Sequence, residues 1–71
     1  MKSVEQHILE KLQGKELKEE MLFEWSEGIY VGPNFDYKAS LFIRGVEYQI
    51  VQICYSDDDN EWVDTLHIAK R

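Results

Sequence analysis

Residues 39–53 read ASLFIRGVEYQIVQI, two runs of β-branched and aromatic residues on either side of Arg44 and Gly45. That pattern predicts a β-hairpin with a two-residue turn, because Gly takes a positive φ cheaply, although Arg suits the first position less well than Asn. Pairing across the turn sets Ile43 against Val46, Leu41 against Tyr48 and Ala39 against Ile50. Because side chains alternate along a strand, the same pairing sends Phe42, Val51, Ile53 and Tyr55 to the opposite face.

Downstream, YSDDDN (55–60) separates this strand from a second β-rich run, EWVDTLHI (61–68), and reads as a hairpin connection. Asp and Asn suit it because their side chains bond nearby backbone amides, and adjacent carboxylates repel unless they face water. The alternation of Asp57, Asp59 and Glu61 resembles the start of a calcium loop. However, Trp62 stands where that loop needs Gly, and Ile68 where it needs a bidentate Glu, so the expectation is a solvated turn without a metal. Two registers are open for this hairpin. With a five-residue loop Trp62, Leu66 and Ile68 join Tyr48 and Ile50; with a four-residue loop they join Val51, Ile53 and Tyr55. In both, large apolar groups occupy both faces of the sheet.

Upstream, Ser3 and Gln6 have capping-box spacing, and Val4, Ile8, Leu9 and Leu12 recur as a helical stripe, which predicts a helix over residues 3–13 ended by Gly14. The following KELKEEMLFEWSEG (15–28) fits both periods. The expectation is a helical turn through Glu20 and then a hairpin around Ser26, Glu27 and Gly28, pairing Trp25 with Ile29 and Phe23 with Val31. VGPNFDYK (31–38) carries the sole proline and reads as a loop. The expected fold is α+β. One N-terminal helix packs on an antiparallel β-meander of four or five strands, left open or curled into a small barrel. A short helix covers one face of such a sheet, so the other must be closed by curling, by a second copy or by a foreign partner.

Length and charge restrict the function classes. With 71 residues the chain forms one domain, and domains of that size bury only about 60% of their unfolded surface. A net charge of −6 disfavours direct binding to nucleic acid or to an anionic membrane and favours a basic protein surface. The lone Cys54 forms no internal disulfide, and no apolar stretch has signal-peptide or membrane-span character. The expected compartment is therefore the cytoplasm.

No nucleophile has an evident base, because both registers keep Cys54 and His67 apart, and the four glycines are scattered rather than gathered into a phosphate loop. The expectation is a non-enzymatic chain without a cofactor. Of the nine aromatics, most suit a core, whereas an exposed one beside the acidic tip would suit an interface. The reading is a small protein-binding module or inhibitor, of a kind a mobile element could carry. Phe42, Val51, Ile53 and Tyr55 anchor the partner, and Asp57, Asp58, Asp59 and Glu61 steer it. The alternative is a homodimer packed sheet to sheet.

Overall fold

In the computed structural model, which describes residues 2–71, helix α1 runs over Val4–Leu12. Its start is the expected capping box: Gln6 N donates to Ser3 Oγ at 3.2 Å, and Ser3 N donates to Gln6 Oε1 at 2.7 Å. Its end is left-handed at two successive residues, Gln13 (φ 49°) and Gly14 (φ 82°). Val4, Ile8 and Leu12 are buried on one face. Each contributes roughly 1.5–3 kcal/mol relative to exposure, which a nine-residue helix needs because isolated helices of that length are marginal.

Four antiparallel strands follow: β1 (Glu20–Tyr30), β2 (Leu41–Ile43), β3 (Val46–Tyr55) and β4 (Trp62–Lys70). The Arg44-Gly45 turn is as expected, with both residues at positive φ and with Ile43 opposite Val46 and Leu41 opposite Tyr48. The expected pair of Ala39 with Ile50 does not form, because β2 begins only at Leu41 and Ala39 N instead closes a turn onto Asp36 O.

β2, β3 and β4 succeed one another as a meander, and β1 lies on the far side of β4, giving the order β1-β4-β3-β2. Read from the C-terminus this is a Greek key, three hairpin-linked strands and a fourth returned by a long connection. The sheet curls into a half-barrel, and α1 packs chiefly against its two edge strands, β1 and β2. The helix thereby fills the concave side, where Ile8, Ile43, Tyr48, Val63, Leu66 and Ile68 are almost wholly buried and, among the described residues, no charged one is enclosed.

The segment 15–30 departs from expectation. No helical turn forms through Glu20, and Ser26-Glu27-Gly28 is not the loop of a hairpin. Instead β1 is one strand along β4, with Phe23 opposite Leu66 and Ile29 opposite Val63. Residues 25–28 bulge out of the ladder between Glu24 and Ile29. Gly28 sits there at φ 77°, so the left-handed glycine inferred from the sequence belongs to a bulge, which such a residue also favours. The bulge aims Trp25 at the helix. Its ring lies 6.3 Å from that of His7, edge to face, and 6.2 Å from Phe23, with Lys11 Nζ 6.0 Å from its centroid.

Two further irregularities decide which residues face the core. The β3–β4 register slips between Ile50 and Gln52, leaving Val51 as an extra residue, and slips back between Cys54 and Tyr55, leaving Asp64 extra on β4. Ile50 lies opposite Ile68, Ile53 opposite Leu66 and Tyr55 opposite Val63, so all three turn toward the concave side. Neither register open in the sequence is adopted. The last hairpin closes with Ser56 N donating to Trp62 O at 2.8 Å, around a loop of residues 57–61.

Candidate functional site

The slips separate the four apolar residues expected to anchor a partner. Phe42 and Val51 are exposed at 58% and 49%, whereas Ile53 and Tyr55 are half-buried against the core. Desolvation raises the Tyr55 hydroxyl above the ordinary tyrosine range, and Tyr37 nearby adds to the shift. Phe42, opposite Glu47, is eight positions along β3 from Tyr55 (55 − 47), roughly 26 Å of strand, and so does not share a surface with the acidic tip. The convex face carries Glu20, Leu22, Glu24, Cys54, Thr65 and His67 rather than a continuous apolar patch.

The four acids expected at the tip do gather there. Asp57 closes the turn, its Oδ1 accepting from Glu61 N at 3.1 Å and Trp62 N at 2.9 Å. Asp58 and Asp59 are exposed, and Asn60 takes the left-handed conformation (φ 57°) expected of Asn in such a loop. One ligand atom each from Asp57, Asp59 and Glu61 lies within 4.8 Å of the others. Two of these acids already have structural work, Asp57 with the turn amides and Glu61 with Tyr30.

β4 brings to this tip an aromatic pair that the sequence did not join. Tyr30 lies opposite Trp62 across the β1–β4 ladder, with ring centroids 5.2 Å apart, and Tyr30 donates its hydroxyl to Glu61 Oε1 at 3.2 Å. That hydrogen bond, with partial desolvation and the carboxylate's charge, holds the Tyr30 pKa above the ordinary tyrosine value. Trp62 remains 43% exposed. The bulge packs behind it, since a Cβ on Gly28 would stand 2.9 Å from Ser56 Oγ and 3.7 Å from Trp62 Cβ. The tip is thus a braced aromatic pair flanked by Asp58, Asp59 and Glu61. Only the β1–β4 pairing announces it, whereas the local sequence pattern folds residues 23–31 back on themselves as a separate hairpin.

Cys54 and His67 are nearer than either expected register allows. Cys54 faces Thr65 and His67 faces Gln52, so both lie on the convex side as diagonal neighbours, about 7–8 Å apart at Cα. His67 engages Glu20 instead, with Nε2 3.3 Å from Oε1. No helix among the described residues is long and apolar enough to cross a membrane.

Comparison with protein-family models gives no match, and neither curated proteins nor solved structures give one.

Proposed function

We propose that the chain is a cytoplasmic, non-catalytic module that binds a basic protein surface through the tip formed by Trp62, Tyr30 and residues 57–61. The observation that carries this reading is an indole 43% exposed, packed against the Tyr30 ring and beside a cluster of carboxylates. Trp is the side chain most enriched at interface hot spots, and a surrounding charged rim accelerates and orients encounter more than it adds affinity. Relative to the anchor set read from the sequence, Trp62 takes the place of Ile53 and Tyr55, whose half-burial leaves them less to offer a partner. Phe42 and Val51 are exposed but remote from the rim or isolated on a bulge. The net charge of −6 favours the same class of partner. A sheet-to-sheet homodimer has less support, because the convex face mixes Leu22 and Phe42 with charged and amide side chains.

The test is capture from a lysate of the source organism with the full chain, a Trp62→Ala variant and an Asp58→Asn/Asp59→Asn variant as baits. Asp57 and Glu61 are left intact because they hold the turn and Tyr30. The expected result is a protein retained by the native chain, lost with Trp62→Ala, and retained by the Asn variant with an association rate less sensitive to salt. Equal capture by all three baits, or a stable dimer at low micromolar concentration in light scattering, contradicts the proposal.

A further inference from the structure

β1 is an edge strand, and the register fixes which of its backbone groups are free. Lys70 N donates to Glu19 O at 2.9 Å, so residues 19, 21 and 23 exchange bonds with β4. Alternation then turns the N–H and C=O of Glu20, Leu22 and Glu24 away from the sheet, where no other strand lies among the described residues. The bulge at residues 25–28 ends this free segment by twisting the strand out of line. Beside the edge runs a groove of about 450 Å³ whose walls include Lys11, Leu12, Lys15, Met21 and Phe23.

The side chains of the free segment decide what can add to it. On the convex side Leu22, 58% exposed, stands between the exposed Glu20 and Glu24. A second copy pairing antiparallel about Leu22 would set Glu20 opposite Glu24 in both halves, and like charges directly opposite one another destabilise a ladder. A strand carrying Lys or Arg two residues either side of an apolar residue would instead place a cation opposite each glutamate. Its intervening residues would lie toward the groove, over Leu12, Met21 and Phe23. We infer that the Glu20–Glu24 edge accepts an extended basic segment of a partner protein by strand addition, with Leu22 as the central contact. The acids act twice, attracting that segment and keeping the edge from pairing with itself. This surface lies at the opposite end of β1 from the tip and does not depend on the reading of Trp62.

The probe is a capped peptide Thr-Lys-Val-Leu-Val-Lys-Thr, with the control in which both lysines are glutamates, titrated into the isotopically labelled full chain at low ionic strength. The basic peptide is expected to bind about tenfold more tightly than the acidic one, two charge pairs being reversed between them. Its binding should slow exchange of the Glu20, Leu22 and Glu24 amides. A Glu20→Lys/Glu24→Lys variant should reverse the preference. Equal binding of the two peptides to the native chain overturns the inference, and that comparison needs no variant to fold. Amide changes confined to residues 57–62 also overturn it while leaving the tip proposal standing, and a dimer that protects residues 20–24 overturns it in favour of self-pairing.

Discussion

Tyr48 is wholly buried at the centre of the concave face, yet its hydroxyl donates to Lys18 O at 2.8 Å. That contact ties the irregular segment between α1 and β1 to β3, and so places the start of the edge strand. Tyr48→Phe keeps the ring and removes only the donor, leaving the Lys18 carbonyl without its protein partner. A hydrogen bond of this kind contributes a net 0.5–1.5 kcal/mol, and a stranded acceptor costs toward the upper end, so the expected destabilisation is about 1 kcal/mol. For a domain of this size that lowers the melting temperature by about 4–8 °C. Urea unfolding followed by tryptophan fluorescence should show a lower midpoint with an unchanged m value, since the surface exposed on unfolding is the same. Amide exchange should accelerate at residues 15–19 more than in the β3–β4 ladder. A variant as stable as the native chain, or one with uniform acceleration, would refute the reasoning and leave the connector held by apolar packing alone. Tyr48→Ala tests less, because a cavity costing about 3–5 kcal/mol swamps the hydrogen bond.

Gly28→Ala should destabilise by about 1–2 kcal/mol, since it adds a left-handed alanine and a Cβ 2.9 Å from Ser56 Oγ; thermal melts of the two proteins measure this. Ile53→Ala should cost about 1–2 kcal/mol and Val51→Ala less than about 0.5 kcal/mol, whereas an unbroken alternation from Phe42 would put both on one face and make the two costs similar; denaturant midpoints decide between them. Tyr30, with its folded pKa raised above 10.0, contributes stability that is fully present below its unfolded value and is lost as pH rises through the folded one. In a carbon-13 titration of the tyrosine rings, Tyr30 should ionise above the ordinary range, and Glu61→Gln should bring it back toward that range.

The parts of the fold legible in the sequence were those with local causes. Ser3 and Gln6 cap a helix through their own hydrogen bonds, the Arg44-Gly45 turn sets its own register, and the aspartates and Asn60 close their loop by side-chain bonds. What escaped was non-local. Nothing in residues 20–24 states that they pair with residues 65–69 rather than folding back toward residues 29–31. Val51 is as good a strand former as its neighbours, so no residue marks the slip that turns Ile53 and Tyr55 inward. That slip removes much of the apolar surplus that an ideal alternation implies, and with it the anchor face. The acidic half of the candidate site was readable because it is one loop, whereas its aromatic half joins residues 30 and 62 across a ladder.

Both proposed surfaces require β1 to be a single bulged edge strand on β4, since that pairing brings Tyr30 to Trp62 and leaves Glu20, Leu22 and Glu24 unpaired. Amide hydrogen exchange resolved by residue tests this directly. The expected pattern is slow exchange at Met21 and Phe23, fast exchange at Leu22 and Glu24, and cross-strand proton contacts between Leu22 and His67. Contacts of Phe23 with Val31 and of Trp25 with Ile29, the signature of a hairpin turning at residues 26–28, would contradict it.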